Sequence, residues 1–581
     1  MRVSKNSFIY YLTVFCILLY YIVSLDFIMS FDNVIYGVEQ LNFYNSNLYN
    51  GNFALSDETS PRFIMNFIFS VLLKITNQNY ACSTLIIVFT SLVILSIAIT
   101  KISFNISKKH YFLLTIILSI FIRKNLNVGI ASFTYWAFST LGLGLGISFV
   151  FLAISEVIGK KKRWNRAFFF LIFALFSHIH EGIWGFVIIC ILYICKYLID
   201  KKKFTVNKEN YLILIFIIVL IFSVLPGIFS KASLISSKEF IGIYAFFRTP
   251  HHLVPSTWKK IVIFYQGILL ILSSLTYSIT ILCFEKSKNK KCIALFKFEV
   301  CFLLFSWVIA LTCTYLFTEI YPIVSIVLLY IPKYFKYVSF IFLLYLIKSL
   351  AILLNDNKYI TYIITLCSIV CINYYKYCFI IYILFFIGLY LDKKITFATP
   401  GVILNKLNDF FIKKNLLYIC TFLCAILFFS FSQKFFTLSK TKKFAINAYM
   451  INAMGSDLFE LSKKFENSTS LNESFISDPY FNETGWFQLA SHRNTFVTFK
   501  NIPAYKSLIS SWYKKVIESK NLFDKSTEEI IKIMEKNKIK YILVKKINYK
   551  KFDEVAKSFE LFNTCSSDQF RIYKLKNEMG N

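Results

Sequence analysis

Five of the six histidines gather in three short segments whose neighbours could do chemistry. The first is Ser177-His-Ile-His-Glu-Gly182, where His178 and His180 stand two residues apart beside Glu181. Imidazoles at that spacing next to a carboxylate could bind phosphate or hold a divalent cation. The plainer alternative is a polar helix–helix turn jointed at Gly182. The second is Arg248-Thr-Pro-His-His-Leu-Val-Pro255. Arg248 offers a guanidinium fork for phosphate, His251 and His252 add donors, and Pro250 and Pro255 stiffen the backbone that carries them. Its alternative is a basic loop at the lipid headgroups, anchored by Trp258. The third, Ser491-His-Arg493, offers Arg493 to an anionic headgroup, or is ordinary solvated surface.

Carboxylates complete the inventory. Between residues 30 and 61 the acids are Asp32, Glu39, Asp57 and Glu58, with Arg62 just beyond. Asp32 directly follows the first apolar run. A carboxylate held there could act as general base on a substrate hydroxyl or amide, with Asp57 as the alternate, unless the loop is merely solvated acid.

The elements that must position these groups are apolar runs of 17–25 residues bounded by Lys-rich clusters. Each is long enough to cross a hydrocarbon layer of about 30 Å as a helix. The residues are 57% hydrophobic and only 17% charged, outside the range of a soluble domain. Thirteen spans are expected, roughly at 8–29, 81–100, 111–122, 137–157, 167–178, 182–199, 210–228, 261–284, 294–316, 335–354, 359–373, 377–391 and 415–431. With the N-terminus inside, the short inner segments hold 27 Lys and Arg and the outer ones 12, the tail holding 25 of the total of 64. That bias favours an inside N-terminus and, with an odd number of spans, an outside tail. The three histidine segments and the acidic loop then all fall on the outer side.

The expected organisation is a transmembrane domain at 1–433, with long outer loops at 30–80, 123–138 and 229–260, and an extracytoplasmic α/β domain at 434–581. Within the first loop, Arg62 to Ile75 reads as an amphipathic stretch lying along the membrane. In the tail, helices are expected over Asp457–Phe465, Leu508–Ser519 and Thr527–Asn537, the last capped by Ser526. Strands are expected over Thr495–Phe499 and Tyr541–Lys546, with a terminal hairpin over Phe559–Leu575.

Several functions are disfavoured. The net charge of +32 sits largely in the clusters between spans, which is an orientation signal and not a nucleic-acid surface, so no nucleic-acid partner is expected. Most of the fourteen cysteines lie in apolar runs, and the tail has Cys565 alone, so it carries no internal disulfide. No GxxxxGK[ST], GxSxG or HExxH occurs.

These features resemble the GT-C class of integral-membrane glycosyltransferases. Its members have about a dozen spans, an essential acid just after the first one, and often an outer soluble domain. Asp32 falls at the position of that acid, and Tyr36, Tyr49-Asn-Gly51 and Pro61 look like features of the loop that follows. The acid is followed by Asn33 in place of the frequent Glu or Asp, which leaves metal dependence open. Arg248, Pro250, His251, His252, Pro255 and Trp258, with Ser491-His-Arg493 and Phe499-Lys500, also resemble a GT-C-like bacterial polytopic family of undefined function.

The resemblance implies an all-α polytopic membrane protein with a small C-terminal α/β domain, acting at the outer face of the cytoplasmic membrane. It would move a sugar from a lipid-linked (polyprenyl-phosphate) donor to an acceptor. Asp32 would be the base, and Arg248, His251 and His252 would hold the donor phosphate. His178, His180 and Glu181 would line the same pocket or hold a divalent cation. A polysaccharide polymerase or flippase shares these substrates. A secondary transporter is a third reading, although transporters place ionisable groups near the midplane of repeated halves.

Overall fold

The computed structural model describes residues 5–24, 32–49, 52, 55, 62–123, 141–159, 162–200, 208–229, 236–258, 260–284, 290–355, 448–503, 506–554 and 558–576. The expected spans at 359–373, 377–391 and 415–431 lie outside the described residues, as do Asp57 and most of the loop at 123–138.

The membrane part is a helix bundle: α1 (Lys5–Ser24), α2 (Asp32–Tyr44), α3 (Phe63–Ile75), α4 (Tyr80–Ile106), α5 (Tyr111–Arg123), α6 (Leu141–Val157), α7 (Trp164–Ser177), α8 (Ile179–Asp200) and α9 (Lys208–Phe229). After it come α10 (Ser237–Ile241), a π-helix (Gly242–Arg248), α11 (Pro250–Leu253), α12 (Lys260–Phe284) and α13 (Lys290–Tyr315). A second π-helix (Leu316–Ile320), α14 (Val324–Leu328) and α15 (Lys333–Asn355) close it. Among the described residues, four helices are long and apolar enough to span a membrane: Tyr80–Ile106, Ile179–Asp200, Ile293–Ile320 and Lys333–Asn355. Six shorter apolar helices accompany them, including those over Leu141–Val157 and Trp164–Ser177. The chain is thus a multi-pass membrane protein.

Burial sorts the helices. α15 is buried along almost its whole length and forms the centre of the bundle, while α13 exposes Phe298, Phe302, Phe305 and Ile309 along one stripe. A stripe of that spacing faces lipid, since no aqueous surface would tolerate it. α3 buries Met65, Asn66, Phe69 and Leu73 and exposes Phe63, Phe67, Val71 and Ile75. Apolar on both faces, it suits a position between protein and bilayer.

The C-terminal residues fold as a mixed sheet flanked by helices: α16 (Ala448–Met454), α17 (Ser456–Ser468), β1 (Ser474–Ile476), α18 (Asn482–Ser491), β2 (Asn494–Thr495), α19 (Lys506–Ser519), α20 (Thr527–Lys536), β3 (Tyr541–Lys545), α21 (Tyr549–Asp553), β4 (Phe559–Ser566) and β5 (Phe570–Leu575). Strand order is β2-β1-β3-β5-β4, the first three parallel and β5 antiparallel to both neighbours. Ser526 caps α20 in a full capping box with Glu529, as its sequence predicts. The strand expected over Thr495–Phe499 stops at Thr495. Its partner β1 has only three residues, and beyond it the Phe499 amide bonds the Pro479 carbonyl at 2.9 Å, which draws the chain away from the sheet.

This domain seats on the loops at one end of the bundle. Val34, Val38 and Leu41 of α2 share a core with Leu458, Phe487 and Leu489, and the Tyr49 hydroxyl donates to the Gln488 and Leu489 carbonyls at 3.3 Å. A second core joins Phe240, Ile243 and Leu253 to Val497, Ile509 and Trp512.

A cationic cluster at one end of the helices

The turn from α7 to α8 carries Ser177, His178, His180 and Glu181. It is pressed against α6 because glycines there allow it. A Cβ at Gly142 would lie 2.3 Å from the Ser177 carbonyl oxygen, and one at Gly182 would lie 2.4 Å from the Leu175 Cα. Glu181 is therefore fully buried, where a carboxylate needs compensation. Lys336 supplies it at 2.6 Å, Lys333 at 3.4 Å, and the Tyr337 hydroxyl donates to the same carboxylate.

Lys333 also stands 3.3 Å from His178 Nε2. An ammonium can only donate, so Nε2 accepts and the ring proton belongs on Nδ1. His178 Nδ1 is buried and has no hydrogen-bond partner among the described residues. It is a donor waiting for an acceptor. His180 points elsewhere: its Nε2 lies 2.8 Å from the Leu328 carbonyl, which fixes α14 over the turn, and Trp184 adds a bond to the Leu329 carbonyl at 3.0 Å.

The second histidine segment meets the first across Tyr330. His180 and His252 both lie against that ring, with centroids 5.6 and 5.9 Å away, and Lys333 sits 5.5 Å over it. Pro250 opens α11 and Pro255 opens the single turn after it, while Thr257 bonds back to the Pro250 carbonyl at 2.9 Å. These closures stiffen the segment, as its two prolines predict. Glu319 of the second π-helix accepts from the Ser256 amide at 2.8 Å, tying the two loops together.

His251 and His252 are in ring contact, tilted by 42° with centroids 4.0 Å apart. Burial, then the charges of neighbouring His251, Lys333, Arg248 and Lys500, lowers His252 to about 3. Burial, then Lys500 and Arg248, lowers His251 as well. Both rings are neutral hydrogen-bonding groups at ordinary pH. Arg248 is buried, lies 5.1 Å over the Phe499 ring, and donates to the Lys500 carbonyl at 3.1 Å.

Arg62 closes the near side. Glu39 of α2 holds it at 2.7 Å, Asn66 bonds the other oxygen of Glu39 at 2.8 Å, and Arg62 lies close enough to act electrostatically on His178. The described groups gathered here are the cations Arg62, Arg248, Lys333, Lys336 and Lys500, four imidazoles, and the acids Glu39 and Glu181. Positive charge predominates, in a place where burial strengthens it. Such a site suits a phosphate.

The structure therefore brings His178, His180, Glu181, Arg248, His251 and His252 together. Asp32 opens α2, and its side chain lies outside the described residues. Its backbone is seven residues from Glu39, about 10 Å along a helix. Arg493 is not brought to the cluster. Its guanidinium bonds the Glu466 and Thr469 carbonyls at 2.5 Å each, the Thr469 hydroxyl at 3.0 Å, and the Ser491 and His492 carbonyls. Those bonds clamp the end of α17, and a donor phosphate would have to break them. No group of His, Cys, Asp and Glu among the described residues could hold a metal ion, and the lysines on Glu181 occupy the positions a cation would need.

Lys333 and Lys336 are the residues sequence reasoning passed over. They flank the start of the expected span at 335–354, where a lysine reads as a boundary marker. A basic residue one turn inside an apolar run was the available signal.

The fold and the cluster together define a multi-pass membrane protein with a buried, cation-rich site beneath a small α/β domain. No protein-family model and no curated protein sequence matches the chain. Among solved structures, ArnT from Cupriavidus metallidurans in the apo state overlays 98% of this chain and 98% of its own, with a TM-score of 0.40 and 6% identity.

Proposed function

We propose that the protein is a membrane glycosyltransferase that takes a sugar from a polyprenyl-phosphate donor and passes it to an acceptor at the outer face of the cytoplasmic membrane. One observation carries this reading: Lys333, held between Glu181 and His178, stands among Arg248, His252 and the orphaned Nδ1 donor of His178. A phosphate bearing one negative charge when esterified to sugar and lipid gains a second as the sugar leaves. Fixed donors and cations aimed at that group stabilise the charge as it develops. The cluster lies beside the apolar helices, which suits a headgroup whose chain stays in lipid.

In the step itself, an acceptor oxygen bonds to the sugar's anomeric carbon while the bond from that carbon to the phosphate oxygen breaks. The acceptor's proton goes to a base, assigned to Asp32 with Asp57 as the alternate. Lys333, Arg248 and His252 hold the leaving polyprenyl phosphate. Lys336 and Tyr337 bind Glu181 and in this scheme hold Lys333 in place through it. We place the N-terminus inside on the bias of Lys and Arg among the loops.

The test follows lipid-linked sugar in proteoliposomes. Asp32→Asn keeps size and most hydrogen bonding but loses the proton acceptor, so transfer should fall about 10²–10⁴-fold with insertion unchanged. Undiminished turnover by that variant refutes the base assignment. A secondary transporter would move substrate across the vesicle wall and consume no donor.

A further inference from the structure

We infer that Lys500, delivered by the C-terminal domain, is a direct ligand of the phosphate group of the lipid-linked donor and of the polyprenyl phosphate it leaves behind, and that residues 498–503 form a fixed wall of the site. This rests on the donor-phosphate reading above and adds a residue from the domain that reading leaves aside.

The wall is built from both sides. On the domain side, Trp512 Nε1 donates to the Thr498 carbonyl at 3.0 Å, the Asn501 amide bonds the Thr498 hydroxyl at 3.1 Å, and the Phe499 amide bonds the Pro479 carbonyl at 2.9 Å. Phe499 stacks on Tyr480 with centroids 4.6 Å apart. On the membrane side, Phe247 meets Phe499 at 5.5 Å and Tyr513 at 4.9 Å, edge to face in each case. Arg248 then lies over Phe499 and donates to the carbonyl of Lys500 itself. The backbone is held on both sides of residue 500, whose own carbonyl takes the Arg248 bond, so its side chain starts beside Arg248.

The Arg248 bond to its carbonyl sets residue 500 beside the cluster, and the charge of Lys500, like that of Arg248, bears on both His251 and His252. Lys500 and Arg248 act on both neutral imidazoles and Lys333 acts on His252, from three separate segments: the domain, the first π-helix and the start of α15. An anion bound there meets positive charge from all three segments at once. Lys500 is half-buried, so its ammonium can reach a ligand that the more enclosed Arg248 touches from the other side.

The experiment measures binding of farnesyl phosphate, and separately of inorganic phosphate, to the full-length protein in phosphatidylcholine nanodiscs. Lys500→Gln should weaken both about tenfold, the worth of one hydrogen bond to a charged group. Lys500→Arg should bind within about threefold of wild type, and Lys550→Gln, on the exposed α21, should change nothing. The Arg248 contact is to the main-chain carbonyl, so Lys500→Gln should keep the wild-type thermal midpoint. Wild-type affinity in Lys500→Gln overturns the inference and leaves the glycosyltransferase reading intact. A lowered midpoint with equal loss in Lys500→Arg also overturns it, by assigning Lys500 a structural role. Absence of saturable farnesyl phosphate binding by wild type overturns the donor reading, and this inference falls with it.

Discussion

Removing the charge of Glu181 should be among the most destabilising conservative changes in the membrane domain. The carboxylate is fully buried and holds Lys336 at 2.6 Å and Lys333 at 3.4 Å. Glu181→Gln keeps the volume and one acceptor oxygen for Tyr337 or Lys336, but leaves two ammonium groups facing an amide. Breaking a buried pair from one side costs about 3–5 kcal/mol, because the remaining charge is uncompensated. Lys336 is almost wholly buried, so the upper part of that range applies to it; Lys333 is partly exposed and water can screen it. Adding Lys336→Met removes the stranded charge and should recover more than half of the loss, a coupling of about 2–3 kcal/mol. The assay is a denaturant midpoint in mixed micelles for wild type, both single variants and the double variant. Additive losses would refute the reasoning, since independent sites add and a shared buried charge does not. Wild-type stability of Glu181→Gln would refute it more simply.

Two further outcomes are expected. His252 has a folded-state pKa of about 3 against 6.5 in its ordinary state, so on acidification the unfolded chain takes its proton first. Its contribution to stability is complete above about pH 6.5 and is lost progressively as pH falls toward 3. His252→Asn should therefore flatten the fall in thermal midpoint between pH 7 and pH 4; an unchanged slope would show that His252 is not buried as described. Gly182→Ala should abolish folded protein or lower its midpoint sharply, because the added carbon would sit on the backbone of Leu175 at 2.4 Å. Gly146→Ala, whose carbon meets the His178 and Glu181 Cβ atoms at 3.1 and 3.2 Å and the Ala174 carbonyl oxygen at 3.4 Å, should be milder, and the reverse order would contradict the packing of α6 on the turn.

What was legible in the sequence follows a physical line. Helices announce themselves by length and caps, so α4, α8, α15 and α20 fall within a few residues of their expected limits. The histidine segments were visible because titratable residues are rare among apolar runs. β1 and α18 were not anticipated: a three-residue strand has too short a pattern, and Gly485 inside Asn482–Ser491 reads as a break. Lys333 and Lys336 were hidden because the lysines that mark a span's end look the same as lysines that serve a site. Only the fold shows that Glu181 reaches them. Arg493 misled for the opposite reason, since a basic residue beside a histidine resembles a ligand until its carbonyl partners are seen.

The most direct test of the donor site is saturable binding of a polyprenyl phosphate to purified wild type and to Lys333→Gln. Lys333 is chosen because it touches both Glu181 and His178 and shares the Tyr330 ring with His252, and because its side chain is partly exposed, so the variant should still fold. Saturable binding by wild type, weakened at least tenfold in Lys333→Gln with the thermal midpoint held, is the predicted result. Equal affinity of the two proteins would contradict the assignment of the cluster as the donor-phosphate site.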